Sequence, residues 1–181
     1  MKKGIYILPN SLTMCGMFSG FYAILAALKG DYVHAAWAIL IAIVFDGLDG
    51  WIARLTNSTT RFGIELDSLS DLVAFGVAPA VMLYNWSLMP FGRIGWAAAF
   101  LFVACGALRL ARYNVQMGST EKKSFTGMPI PGAAAVIATT TIFYSQMDWA
   151  GRRSIFILIL TFILAILMVS TLRFHGAKEL D

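Results

Sequence analysis

The chain has 181 residues, enough for one domain, and 59% of them are hydrophobic while only 13% are charged. A soluble domain needs a polar surface, and about 25% of its residues are usually charged. The mean hydropathy of +0.72 therefore excludes a soluble globular protein and indicates an integral membrane protein. The net charge of +4 comes without a dense basic run, which argues against nucleic-acid binding and fits the head groups of anionic membrane lipids.

Apolar stretches separated by short polar turns follow one another along the whole chain, and a helix needs about 20 apolar residues to cross a bilayer. The predicted spans are Tyr6–Leu28, Val33–Arg54, Arg61–Trp86, Ile94–Tyr113, the stretch from Gly132 to about Met147, and Ser154–Leu172. Lys29–Asp31 and Pro90–Gly92 are predicted turns between spans. The sequence thus predicts a single all-α domain over residues 1–181 with six transmembrane helices.

Positive charge is unevenly distributed between the two predicted sides of the membrane. With a cytoplasmic N-terminus, ten basic residues fall inside: Lys2, Lys3, Arg54, Arg61, Arg109, Arg112, Lys122, Lys123, Arg173 and Lys178. The four others, Lys29, Arg93, Arg152 and Arg153, fall outside. Cytoplasmic loops carry an excess of Lys and Arg. The bias predicts a cell-membrane protein with both termini in the cytoplasm.

The cysteines and histidines give no sign of a site. Cys15 and Cys105 each stand alone in an apolar stretch, so we expect both to be buried rather than paired in a disulfide or a zinc site. His34 and His175 have no partner carboxylate at a useful spacing and are interpreted as bystanders.

Four aspartates lie near one end of spans two and three. Asp46 and Asp49 are three residues apart, and Asp67 and Asp71 are four apart, so each pair lies on one face of its helix. The linking loop is short enough to make the two helices antiparallel neighbours, which allows the pairs to converge. An aspartate costs about 2.5–3.5 kcal/mol at the centre of a membrane helix, so such residues are functional by default.

Converging carboxylates repel one another, and divalent cations remove the conflict. Their oxygen ligands favour Mg²⁺, Mn²⁺ or Ca²⁺ over zinc, and a two-metal site could grip phosphate oxygens. Two other interpretations remain. The carboxylates could be helix ends ion-paired with Arg54 and Arg61, or the path of a small cation transporter. A transporter predicts carboxylates spread through the membrane or repeated in two halves, whereas these cluster at one end.

The aspartates belong to a longer pattern that spans both helices, D-x2-D-G-x2-A-R-x8-G-x3-D-x3-D. Its fixed positions are Asp46, Asp49, Gly50, Ala53, Arg54, Gly63, Asp67 and Asp71. This pattern resembles the signature of the CDP-alcohol phosphotransferase family, with every fixed position matched and the correct gap. The predicted six-span topology agrees with this resemblance independently.

The resemblance implies a homodimeric six-helix membrane enzyme with a site facing the cytoplasm. The implied ligands of two divalent cations, Mg²⁺ or Mn²⁺ with Ca²⁺ able to bind, are Asp46, Asp49, Asp67 and Asp71. Asp71 would also be the general base. Gly50 and Ala53 would line the cytidine pocket, with Arg54 in the nucleotide-binding part. The implied reaction moves the phosphatidyl group of CDP-diacylglycerol to an alcohol and releases CMP.

Three further segments are similar to those of phosphatidylserine synthases of the small bacterial and archaeal type. They are Pro9–Thr13, Arg109–Asn114 and Phe125–Pro131. This similarity implies L-serine as the acceptor. Arg109 or Arg112 could bind its carboxylate with two hydrogen bonds, with Asn114 and Thr126 on the same face. The arginines could instead anchor the cytoplasmic end of their span.

Several residues predicted to contact the donor or the acceptor have a second possible role. Asn10 and Thr13, one turn apart, could contact a donor phosphate or cap the first helix. Phe125–Pro131 could be only a turn that begins a helix. Glycerol 3-phosphate and inositol phosphate are alternative acceptors, but each carries a phosphate and would want a denser basic cluster than two arginines. The sequence therefore favours serine.

Overall fold

The structure is a computed structural model that describes residues 7–56, 60–117, 127–145 and 155–170. All regular structure in these residues is helical, and they contain no β-strand. The helices are α1 Ile7–Leu28, α2 Tyr32–Leu55, α3 Arg61–Phe91, α4 Arg93–Met117, α5 Ile130–Ser145 and α6 Ile155–Val169. The predicted all-α fold class is confirmed.

Helices α1 to α4 are each long and apolar enough to cross a membrane. Helices α5 and α6 are equally apolar but have 16 and 15 residues, and the segments that follow them lie outside the described residues. A span needs about 20 residues. The chain is therefore a polytopic membrane protein, while the number of six spans stays a prediction.

Helix α3 lies at the centre of the bundle and contacts all five other helices. Of its most apolar stretch 61% is buried, against 33% for α1, α2 and α4. The outer faces of the surrounding helices carry large exposed apolar side chains such as Phe18 and Trp96. Many exposed apolar side chains of this kind indicate a surface that is covered by lipid or by another protein chain.

Small residues bring α1 close to its neighbours. Ser19 Oγ donates a hydrogen bond of 2.7 Å to the Ala38 carbonyl of α2. A Cβ added to Gly20 would lie 2.5 Å from Ala74 Cα in α3, closer than real side chains approach. Small residues at membrane helix interfaces allow such backbone contact and the dispersion attraction that comes with it. This packing holds α1 against both helices that carry the aspartates.

Helix α3 departs from regular α-helical geometry in two places that sequence patterns did not predict. Leu72–Val77 and Tyr84–Leu88 are π-helical, and the first of these stretches begins directly after Asp71. A short 3₁₀ turn, Met89–Phe91, then ends the helix, and Gly92 has a φ of +55°. The predicted turn at Pro90–Gly92 is confirmed. Single π-helical turns inside α-helices often accompany functional sites.

Two predictions are corrected, one at the turn between α1 and α2 and one within α1. Asp31 caps α2 by accepting from the His34 backbone N–H, and His34 Nδ1 lies 2.8 Å from Asp31 Oδ1. This hydrogen bond lowers the pKa of Asp31. The prediction that His34 has no carboxylate partner is therefore wrong. Cys15 is exposed on the outer face of α1 although it was expected to be buried, whereas Cys105 is buried as expected.

The close contact at Gly20 predicts that Gly20→Ala destabilises the protein. The added methyl group must displace the α3 backbone at Ala74, and such overpacking costs about 1–3 kcal/mol. We expect a lower midpoint of thermal unfolding in detergent, monitored by tryptophan fluorescence.

Gly47→Ala is the matched control, because a Cβ at Gly47 meets nothing within 4 Å. Alanine favours a helix over glycine by about 1 kcal/mol, so this variant should be as stable as the original chain or slightly more stable. Equal midpoints for Gly20→Ala and the unmodified protein would contradict the proposed contact.

Candidate active site

A cavity of about 430 Å³ opens where α2 ends and α3 begins, at the end of the bundle predicted to face the cytoplasm. It is lined by ten of the residues predicted to bind metal, donor or acceptor: Asn10, Thr13, Asp49, Gly50, Ala53, Arg54, Asp67, Asp71, Arg109 and Asn114. Another groove, of about 520 Å³, lies between α1 and α2 and is lined mostly by apolar and aromatic side chains, without a carboxylate. The chemistry therefore belongs to the first cavity.

Three of the predicted carboxylates converge beside this cavity. One oxygen each of Asp46, Asp49 and Asp67 lies within 4.8 Å of the other two. Asp71 is outside this group of three but lies within hydrogen-bonding reach of Asp46. All four border a second, very small cavity between α1, α2 and α3. The helical spacing thus brings the two pairs together as the sequence predicted.

No cationic side chain of the described residues lies within ion-pairing distance of these aspartates. Among the described residues the only ion pair is that of His34 with Asp31, far from this cluster, so neither Arg54 nor Arg61 pairs with an aspartate. Half-buried carboxylates this close repel one another strongly because the surrounding dielectric is low. Three carboxylate oxygens at this separation fit a divalent cation that prefers oxygen ligands. The arrangement argues against mere ion-paired helix ends.

The last turns of α2 and the first turn of α3 form a polar wall of the cavity. Arg54 Nε donates a hydrogen bond of 2.9 Å to the Gly50 carbonyl one turn earlier, and its side chain remains exposed. A Cβ on Gly63 would lie 3.2 Å from Thr60 Oγ1 and 3.3 Å from Asn10 Oδ1. Glycine at this position therefore lets the start of α3 approach α1.

The opposite wall comes mainly from α4. Arg109 lines the cavity, and its buried Nε has no hydrogen-bond partner among the described residues. Asn114 Nδ2 donates to Ser68 Oγ at 2.9 Å. Ser68 and Tyr113 also line the cavity, but neither was given a role from the sequence. Ser68 could have been found, since it is a polar residue between two aspartates in a membrane helix.

Two residues predicted to bind the acceptor are not placed in the cavity. Arg112 is exposed and donates to the Val169 carbonyl at the end of α6, at 3.2 Å. A basic side chain at a helix C-terminus satisfies an unpaired carbonyl and complements the helix dipole. The position of Arg112 thus favours anchoring over acceptor binding. Thr126 lies outside the described residues.

The segment before α5 also packs on the end of α6. Gly127 has a φ of +88°, and its Cβ would lie 2.6 Å from the Met168 carbonyl oxygen. Met128 N donates to the Leu167 carbonyl at 3.1 Å. These contacts fix Pro129 and Pro131, which line the cavity. The proline segment therefore both begins a helix and forms part of the cavity wall.

Comparison with known proteins gives a consistent result. Residues 6–173 match the family model described as CDP-alcohol phosphatidyltransferase. A CDP-diacylglycerol–serine O-phosphatidyltransferase of Helicobacter pylori is 40% identical over 176 residues, which cover 97% of this chain and 74% of the relative. An archaetidylserine synthase of Methanothermobacter thermautotrophicus is 40% identical over 171 residues, 92% of this chain and 69% of the relative. The match to the family model includes all four aspartates.

Proposed function

The chain belongs to the CDP-alcohol phosphatidyltransferase family, and we propose that it transfers the phosphatidyl group of CDP-diacylglycerol to the hydroxyl group of L-serine. The products are phosphatidylserine and CMP. The observation that carries this proposal is the convergence of the aspartates of α2 and α3 beside a cavity at one end of a membrane bundle. Such a site lets a water-soluble acceptor reach the head group of a donor whose acyl chains stay in the lipid.

The donor diphosphate fits the aspartate side of the cavity. Two divalent cations, Mg²⁺ or Mn²⁺, held by Asp46, Asp49, Asp67 and Asp71, would bind the diphosphate oxygens and neutralise charge during the transfer. Gly50 and Ala53 line the cavity and leave room for the cytidine, because glycine has no side chain and alanine has only a methyl group. Arg54 and Asn10 lie at the same wall and supply hydrogen-bond donors for phosphate.

The acceptor fits the α4 side of the cavity. Arg109 carries a buried Nε without a partner among the described residues, so a carboxylate bound there would satisfy it. The Asn114–Ser68 pair offers both a donor and an acceptor for the ammonium and hydroxyl groups of serine. Because Arg112 points to α6, one arginine remains for the acceptor, which suits serine better than an alcohol that carries a phosphate.

The reaction exchanges one phosphorus–oxygen bond for another. The Asp71 carboxylate takes the proton of the serine hydroxyl, and the serine oxygen forms a bond to the lipid-side phosphorus. The bond from that phosphorus to the bridging oxygen breaks, and CMP leaves with the electron pair. Asp71 suits the role of base because it lines the cavity yet lies outside the closest group of three carboxylates.

The names of the relatives support serine as the acceptor, and they give weaker support for any one lipid group of the donor. The bacterial and the archaeal protein are both named for a serine product and differ in the lipid group. We further propose a homodimer in the cell membrane with both termini in the cytoplasm, based on the family resemblance and on the distribution of positive charge.

The direct test is CMP release by the purified protein in lipid nanodiscs containing CDP-diacylglycerol and Mn²⁺. We expect release with L-serine, none with glycerol 3-phosphate or inositol phosphate, and complete loss on addition of EDTA. Asp31→Asn is a matched control because Asp31 lies at the other end of α2, and it should retain full activity. Release with a phosphorylated alcohol alone would overturn the assignment of serine, and no release with any alcohol would overturn the proposed reaction.

Replacing the proposed base separates catalysis from binding. Asp71→Asn should lower the rate of CMP release by about 10²–10⁴-fold, the usual contribution of a general base. Mn²⁺ and CDP-diacylglycerol should still bind, because the close group of Asp46, Asp49 and Asp67 remains intact. Asp67→Asn should lose both Mn²⁺ binding and CMP release, since Asp67 belongs to the close group of three carboxylates. Equal loss of Mn²⁺ binding in the two variants, measured by electron paramagnetic resonance, would count against Asp71 as the base.

A further inference from the structure

Thr13 of α1 makes a buried contact with one of the clustered carboxylates. Its Oγ1 lies 2.7 Å from Asp49 Oδ2. Both residues are almost completely buried, with 6% of Thr13 and 5% of Asp49 exposed. The contact joins residues 36 positions apart in the sequence and links α1 directly to the metal-binding end of α2. Spacing within α1 alone could not reveal it.

The single hydroxyl proton of Thr13 has two possible acceptors. One is the Pro9 carbonyl of the preceding turn, at 3.1 Å, and the other is the Asp49 carboxylate, at 2.7 Å. A charged acceptor gives the shorter and stronger bond, and 2.5–2.7 Å is the usual range for a hydroxyl on a carboxylate. The proton therefore goes to Asp49, and the bond engages Oδ2 without using Oδ1.

Thr13 is itself held in place from the other metal-binding helix. Ser70, which lies between Asp67 and Asp71 in α3, donates from Oγ to the Thr13 carbonyl at 3.0 Å. Ser70 is also buried, with 5% of it exposed. One residue of α1 thus connects the two helices that carry the aspartates, through its side chain to α2 and through its carbonyl to α3.

We infer that Thr13 is a positioning residue that orients the Asp49 carboxylate for a divalent cation, and not a contact to the donor phosphate. The inference rests on the proposed function only in taking Asp49 as a metal ligand. Groups that hydrogen-bond to a metal ligand fix its orientation, and their loss commonly costs about 10–100-fold in metal affinity. Without the hydroxyl, the Asp49 carboxylate would lose the hydrogen bond to Oδ2 that helps to orient it.

Mn²⁺ affinity tests this role, measured by electron paramagnetic resonance on the full chain in nanodiscs without the donor lipid. Thr13→Val keeps the shape of the side chain and removes the hydroxyl, and we expect Mn²⁺ binding about 10–100-fold weaker. Thr13→Ser restores the hydroxyl and should restore the affinity. In CMP release, Thr13→Val should need more Mn²⁺ for half-maximal rate, and saturating Mn²⁺ should recover most of the rate.

Ser19→Ala is the matched control for a loss of stability that does not involve the metal site. Ser19 makes the same kind of buried hydroxyl bond from α1 to α2, but to a backbone carbonyl and not to an aspartate. We expect this variant to unfold at a lower temperature and to bind Mn²⁺ like the unmodified protein. A purely structural role for Thr13 would make Thr13→Val and Ser19→Ala behave alike.

The outcomes separate this inference from the proposed function. Unchanged Mn²⁺ affinity in Thr13→Val, with CMP release intact in the unmodified protein, would overturn the positioning role alone. No Mn²⁺ binding and no CMP release in the unmodified protein would overturn the metal-dependent function and the inference with it. Should Thr13→Val fail to fold, Ser70→Ala tests the same link, since it frees the Thr13 carbonyl; unchanged affinity there would likewise contradict the inference.

Discussion

The mutual repulsion of carboxylates at one end of a membrane bundle is the constraint that the rest of the structure must satisfy. Each aspartate in a membrane helix already costs about 2.5–3.5 kcal/mol at the bilayer centre, and crowding adds to that cost. Among its described residues the chain places no basic side chain within ion-pairing distance of the cluster. A hydroxyl group from α1 and a cavity open to water offset part of this charge, and the cluster could hold a divalent cation that offsets the rest. In the proposed function a cation completes this site, and that cation connects the fold to phosphate chemistry.

Close packing keeps these groups together. Gly16 and Gly20 allow α1 to lie against α2 and α3, with Gly20 in contact with the α3 backbone. Between membrane helices the attraction comes from dispersion and hydrogen bonds and not from the hydrophobic effect, so small residues and buried hydroxyl groups are the effective means of association. The hydrogen bonds of Thr13 and Ser70 then fix how α1 is oriented against α2 and α3. The cavity wall on the other side depends on α6, through Arg112 and the segment before α5.

Local sequence patterns predicted the features that follow from the period of a helix. They did not predict the features that depend on packing between residues far apart in the sequence. The spans followed from runs of apolar residues, and the convergence of the aspartates followed from their three- and four-residue spacing. Arg112 was expected beside Arg109, but its direction is set by the end of α6, 57 residues later. The π-helical turns of α3 and the exposure of Cys15 also depend on which helices pack together. His34 was different, since its Asp31 partner is three residues away and the capping pattern could have revealed it.

The central claim is that the aspartate cluster holds a cation to which the donor diphosphate binds directly. Electron–nuclear double resonance on the Mn²⁺-loaded protein in nanodiscs, with and without CDP-diacylglycerol, measures this contact through the coupling between Mn²⁺ and ³¹P. The structure predicts a ³¹P coupling typical of directly bound phosphate that appears only with the donor and is lost in Asp49→Asn. Mn²⁺ bound at the aspartates without any donor-dependent ³¹P coupling would contradict the account, because the cation would then not be part of the phosphoryl-transfer site.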